Sequence, residues 1–175
     1  KKYFDNIEKF AFYDALDALL KQQKGKGIKE LIAEARRRHT HLIPRAGGTS
    51  IAGQVVGDGI VVDISRHLNR IIKFNKGERW VWVEPGVVRD ELNRFLEPHG
   101  LFFSPETSTS NRCCIGGMVG NNSCGTHSLV YGSTRHHVLA LRGILSDGTP
   151  FDTSHPDPDN TLLNKIILSF IFAHK

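Results

Sequence analysis

The 175-residue sequence contains no uninterrupted apolar run of about 18 residues, so it offers no candidate for a membrane-spanning helix. Cysteine is sparse: Cys113, Cys114 and Cys124 are an odd number, with neither the CxxC spacing of zinc and redox sites nor the density of a disulfide scaffold. A reducing, cytoplasmic compartment follows as the simplest expectation, with membrane association only through parts outside this sequence. Two common phosphate loops are also missing, since there is no GxxxxGK[ST] and no GxGxxG opening a helix after a strand. Nine histidines include the adjacent His136 and His137, but neighbouring residues on an extended segment face opposite ways and no ligand cluster surrounds them. Surface or packing roles are expected for both, and no metal site. The excess of 23 Lys and Arg over 18 Asp and Glu gives a net charge of +5, which invites a nucleic-acid reading. Its distribution argues against one. Arg36, Arg37 and Arg38 sit at the end of an amphipathic run, where cations meet the helix dipole, and the other basic residues are scattered among acids.

Glycine, by contrast, is concentrated. PRAGGTSIAG, from Pro44 to Gly53, follows an extended run ending in Ile43 and has few bulky side chains. Gly47 and Gly48 permit positive φ and close ligand approach, Ala46 adds little bulk, Thr49 and Ser50 offer hydroxyls, and Arg45 adds positive charge. Such a loop suits a phosphate or pyrophosphate. The alternative is a glycine-rich turn with no ligand. A second stretch, CCIGGMVGNNSCG, places Gly116, Gly117, Gly120, Asn121, Asn122 and Gly125 where a second close approach would be wanted. Between the two, residues 60–64, 70–74 and 79–83 read as strands, with a hairpin turn at Asn75, Lys76 and Gly77. Residues 88–97 read as a helix with apolar Val88, Leu92, Phe95 and Leu96, ending before Gly100.

These motifs, together with VEPGV, DELNRFLEPHGLFFSPE, IGGMVGNNSCGTHS, VYGSTRHHV and SDGT, resemble the FAD-binding domain of the vanillyl-alcohol oxidase (PCMH-type) superfamily. Within it the resemblance is nearest to FAD-linked D-2-hydroxyacid dehydrogenases of the D-lactate and D-2-hydroxyglutarate class that carry a C-terminal iron–sulfur domain. It covers roughly residues 28–153, with the motifs in family order. The resemblance implies an α+β fold of two small lobes with FAD between them. It implies a pyrophosphate held by Arg45, Ala46, Gly47, Gly48, Thr49 and Ser50, and cofactor contacts at Pro105, Cys114, Gly116, Gly117, Asn122, Gly125, Tyr131 and Gly132. It also implies hydride transfer from a 2-hydroxyacid to flavin N5, with the substrate held by a separate domain. No catalytic residue is assigned. In members that tether FAD at the first loop a histidine follows the glycine pair; Thr49 stands there, so noncovalent FAD is expected. A thiol beside a flavin could alternatively be redox-sensitive, although Cys114 reads first as backbone and packing.

Two other readings remain at this stage: a reductase of the UDP-N-acetylenolpyruvoylglucosamine type, and a noncatalytic flavin-binding module. The chain starts at Lys1 rather than Met and is short for a whole enzyme, so a fragment of a larger protein, without turnover alone, is expected. Residues 1–27 depart from the family pattern and read as an amphipathic helix from near Asp5, ended by Gly25 and Gly27. Residues 154–175 read as a linker and an apolar helix, with Leu163, Ile166, Ile167, Phe170 and Ile171 suited to a missing domain or another chain.

Overall fold

The computed structural model describes residues 27–154, so the helices expected near Asp5 and at 162–175 lie outside the described residues. Helix α1 (Gly27–Arg37) forms where apolar side chains recur three and four positions apart: Leu31 and Ala35 are buried, and Ile28 packs with Leu42, Ile60 and Ile64 around Leu31 and Val62. The helix ends at Arg37, after which His39 turns left-handed (φ 52°) and Thr40 donates its N–H back to the Ala35 carbonyl at 2.9 Å. Its terminal arginines do more than face the dipole. Arg37 and Arg38 both donate to Glu34, at 2.8 and 2.6 Å through Nε, and those two side chains in that order hold the Glu34 carboxyl down to about 2.

Strands β1 (Leu42–Arg45) and β2 (Ile60–Asp63) pair in parallel, with Leu42 opposite Ile60 and Arg45 opposite Asp63. Strand β1 runs two residues beyond Ile43 and includes Pro44, which a strand tolerates where it has no partner on one side. The rest of the first glycine-rich stretch, from Ala46 to Gly53, lies in the connection between these two strands.

Strands β3 (Ile71–Asn75) and β4 (Trp80–Val83) form an antiparallel hairpin with a bulge between Ile71 and Lys73. The turn is longer than Asn75 to Gly77: the left-handed residue is Arg79 (φ 58°), and the Asn75 Oδ1 accepts the Glu78 N–H at 3.1 Å. Helix α2 (Arg89–Leu96) continues into a 3-10 turn (Glu97–His99) closed by Gly100 at φ 70°. Leu92 and Leu96 join Val87 in a second core, covered by Ile71, Phe74, Val81, Val83, Leu101, Phe103 and Ile115. Phe95, expected on the apolar face, is partly exposed and meets Phe74 edge-on at 5.5 Å.

The second glycine-rich stretch contains a helix that its composition does not announce: α3 spans Ile115–Asn121, and a one-turn helix α4 (Ser128–Tyr131) follows the stretch. His136 and His137 lie in a 3-10 turn (Thr134–His137) rather than on a strand. The chain divides after His137. The second unit holds an antiparallel hairpin of β5 (Arg142–Ile144) and β6 (Pro150–Asp152), with Gly148 left-handed in its turn.

Candidate functional site

The two glycine-rich stretches, far apart in sequence, lie against each other. A Cβ at Gly117 would stand 3.2 Å from that of Ala46, and one at Gly47 would collide with the backbone carbonyl of Arg112. Gln54 Nε2 donates to Asn121 Oδ1 at 2.9 Å, tying the far side of the first loop to the end of α3. Only glycine permits this approach at position 47, where the obstacle is main chain, whereas a side chain at position 117 would press on that of Ala46. Gly116 is needed for a third contact, since its Cβ position is filled by Pro85.

At the centre of the first loop the main chain turns through Gly48 at φ 62°, and Gly53 is left-handed as well. The backbone N–H groups of Gly47, Gly48, Thr49 and Ser50 donate to no acceptor among the described residues. A run of unsatisfied, half-buried amides is costly unless water or a ligand accepts from it, and successive amides converging from a bend form an anion-binding concavity. Arg45 supplies the charge: its Nε would lie 2.7 Å from a Cβ at Gly48, so the guanidinium folds over the loop. Its nearest acid, Asp63, is 3.9 Å away and already accepts the Ser65 N–H and hydroxyl at 3.0 and 2.6 Å. The donor set fits a pyrophosphate: four amides, two hydroxyls and a guanidinium with only a loose internal counter-ion.

The remaining expected residues differ in what they present. Pro105 and Cys114 are out of solvent reach, so they lie in the packing beneath the loop surfaces. Cys114 precedes the first residue of α3, and burial, with the neighbouring Cys113, Asp63 and Glu91 adding to it, pushes its thiol pKa up. Asn122 ends α3 in the left-handed region (φ 48°), and its Oδ1 accepts the Arg135 N–H at 3.0 Å. Tyr131 is half exposed and meets Phe102 edge-on at 5.7 Å, while Gly132 is left-handed (φ 79°) beside the His136 ring. His137 Nε2 lies 2.8 Å from the Tyr131 carbonyl, and His136 Nδ1 accepts the Ser133 N–H at 3.0 Å. His136 therefore braces the entry to its own turn, while His137 ties that turn to α4 and, at 3.2 Å, to the Ser104 hydroxyl; no group of three metal-ligating side chains occurs among the described residues.

Arg112, Gln54 and Glu106 were not read from the sequence as site residues; none belongs to a glycine run, and each acts through a partner at least 20 residues away or through its main chain. A separate open cleft of about 550 Å³, lined by Asp90, Asn93, Arg94, Glu97, Gly100, Leu101 and Phe102, shares no residue with the glycine loops. No helix among the described residues is long and apolar enough to cross a membrane.

Comparison with known proteins converges on the same region. Residues 17–154 match the model of a family described as FAD binding domain. The chain is 52% identical over 121 residues to D-2-hydroxyglutarate dehydrogenase of Haemophilus influenzae, covering 69% of this chain and 12% of that protein. It is 31% identical over 137 residues to the mitochondrial D-lactate dehydrogenase (cytochrome) of Kluyveromyces lactis, covering 76% of this chain and 23% of that one. A solved alkyldihydroxyacetonephosphate synthase superposes with a TM-score of 0.65 at 20% identity, over 77% of this chain and 25% of its own, a likeness of fold alone. The chain thus spans between about an eighth and a quarter of the length of these proteins.

Proposed function

Because the chain belongs to the FAD binding domain family and FAD is its cofactor, we propose that it is the flavin-holding part of an FAD-linked D-2-hydroxyacid dehydrogenase, of the D-2-hydroxyglutarate class. The observation that carries the reading is the contact of Gly117 with Ala46, which sets the amides of residues 47–50, without an acceptor among the described residues, against the second glycine-rich stretch. Identity of 51–52% to four relatives named D-2-hydroxyglutarate dehydrogenase supports the narrower substrate class, while a fifth relative of that name is matched at 32%, level with the D-lactate enzyme at 31%.

In this reading the amides of Gly47, Gly48, Thr49 and Ser50 bind the pyrophosphate, and Arg45 offsets its charge. Gly116, Gly117 and Gly125 let main chain approach main chain, and Pro105, Cys114 and Asn122 fix the second stretch from below. Tyr131 and Gly132 present the exposed surface that follows it. When bound, FAD supplies an acceptor for the hydride equivalent lost by a 2-hydroxyacid carbon. The chain itself binds and orients. Thr49 has no imidazole with which to tether a flavin, so the cofactor is held without a covalent bond at this loop. Three free cysteines, two of them buried, suit a reducing cytoplasmic compartment.

The test is the visible absorption spectrum of the purified chain mixed with FAD and freed of excess, followed by acid precipitation. A flavin spectrum with yellow colour released to the supernatant is expected. A colourless folded protein would overturn the flavin reading, and colour retained in the pellet would overturn the noncovalent one.

A further inference from the structure

Two segments that the sequence separates by twenty residues meet on a single carboxylate oxygen. Glu106 Oε1 accepts the Thr126 hydroxyl at 2.7 Å and the His127 N–H at 3.1 Å, and His127 Nδ1 lies 2.8 Å from it. The joint is tight enough to dictate its neighbour: a Cβ at Gly125 would stand 2.6 Å from Glu106 Cγ and 2.7 Å from its carbonyl oxygen. Glycine at 125 is therefore required by the main chain of Glu106, whatever else it faces.

The base of the joint is held on its other side. Pro105 is fully buried and its carbonyl accepts Arg89 Nε at 3.1 Å, with Arg89 Nη1 in turn 3.0 Å from Asp90. The far end leads directly into α4: Ser128 donates its N–H to the Gly125 carbonyl at 3.0 Å, and Tyr131 to the His127 carbonyl at 3.0 Å. The hydrogen bonds from Thr126, first, and then from His127 hold the Glu106 carboxyl down to about 2, so it is charged across the working range. An exposed ion pair alone contributes little, but here one oxygen is shared by a hydroxyl, a backbone amide and an imidazole across a glycine contact.

We propose that Glu106 is a positioning residue for FAD: it sets the 125–127 loop and, through α4, the placement of Tyr131 and Gly132. The inference rests on the flavin reading above. Glu106 need not touch the cofactor. It determines where the second glycine-rich stretch ends and where the exposed surface after it begins.

The experiment compares Glu106→Ala, Glu106→Gln and Thr126→Val with the unmodified chain, using FAD titration and the visible circular dichroism of the bound flavin. Glu106→Ala is expected to weaken binding by about tenfold, the size of one lost charge-assisted contact, and to alter the dichroism. Glu106→Gln keeps an acceptor for Thr126 and the His127 amide, so it should return to within about threefold of the unmodified chain. Thr126→Val removes one bond without touching the carboxylate and should weaken FAD by about two- to fivefold, which decides the matter if the alanine variant does not fold. Unchanged affinity and dichroism in the alanine or valine variant, or glutamine no better than alanine, would overturn the proposal. An unmodified chain that binds no FAD would instead bring down the function proposed above.

Discussion

Glu84 is buried, and its carboxylate takes three hydrogen bonds from Arg70: the backbone N–H at 2.8 Å on one oxygen, and Nε and Nη2 at 3.1 and 2.6 Å on the other. Glu84 returns its own N–H to the Arg70 carbonyl at 2.9 Å, so the two residues close the open end of the β3–β4 hairpin. Pro85 follows directly and fills the space beside Gly116. A pairing at the foot of a hairpin thus supports the platform on which the second glycine-rich stretch rests.

Replacing Glu84 by Gln should cost about 1–3 kcal/mol at neutral pH, less than a fully buried pair because Arg70 is half exposed. Burial pushes the Glu84 carboxyl up, but the side-chain and backbone hydrogen bonds from Arg70 outweigh it and leave its pKa below the ordinary value of 4.5. A carboxyl depressed in the folded state contributes stability that is full above its unfolded pKa and lost as pH falls through the folded one. Urea unfolding at pH 7 and at stepwise lower pH should show the gap between the unmodified chain and Glu84→Gln narrowing below about pH 4.5. A gap that does not change with pH would show that the carboxylate charge is not what Arg70 recognises.

Gly47→Ala and Gly120→Ala should separate the glycines of the site from the glycine that is only near it. An alanine at 47 meets the carbonyl of Arg112, which is main chain and cannot swing away, so FAD affinity should fall by more than about tenfold. Gly120 has nothing within 4 Å and lies inside α3, where alanine favours the helix by up to about 1 kcal/mol. FAD titration and urea unfolding of both variants check this. Equal losses of affinity would mean that loop contact is not what the glycines serve.

The sequence was informative where one physical signal acts alone. Leu92 and Leu96 announce a helix by their spacing, and the alternation on either side of Asn75 announces a hairpin. The clustering of Gly47 and Gly48 before two hydroxyl residues marks the first loop. Helix α3 was not legible because Gly116, Gly117 and Gly120 are among its seven residues and glycine is a poor helix former. Tertiary contact overrides the propensity: Pro85 and Ala46 occupy the places where side chains would project. Glu106 and His127 could not be paired from sequence, since nothing local reveals a contact across 21 positions. The β5–β6 hairpin showed only its SDGT turn, its strands being three residues each.

The hairpin turn yields a prediction that runs against the usual placement of glycine. Arg79 carries the left-handed conformation, which costs a side-chain-bearing residue about 1–2 kcal/mol, whereas no positive φ occurs at Gly77. Arg79→Gly should therefore raise stability by about 0.5 kcal/mol after its own entropic cost. Gly77→Ala should be neutral or slightly stabilising, since its nearest neighbour is Asn75 Oδ1 at 3.5 Å. Thermal unfolding of both checks it, and a large loss at Gly77→Ala would show that the turn needs glycine there.

The three thiols should divide cleanly by reactivity. Cys124 is exposed, while Cys113 and Cys114 are buried. Burial keeps Cys113 out of a reagent's reach and pushes the Cys114 thiol up, so neither supplies the accessible thiolate that disulfide exchange requires. An aromatic disulfide reagent at pH 8 should label one thiol per folded chain quickly and the other two only after denaturation. Cys124→Ser should abolish the fast phase and leave FAD affinity within about twofold, because the residue is exposed and serine is close to it in size. Fast labelling of all three would show that the Cys113–Cys114 step opens readily. In that case the main chain entering α3 would be too loose to hold Gly117 against Ala46, and a thiol beside the flavin would become a redox-sensitive element of the site.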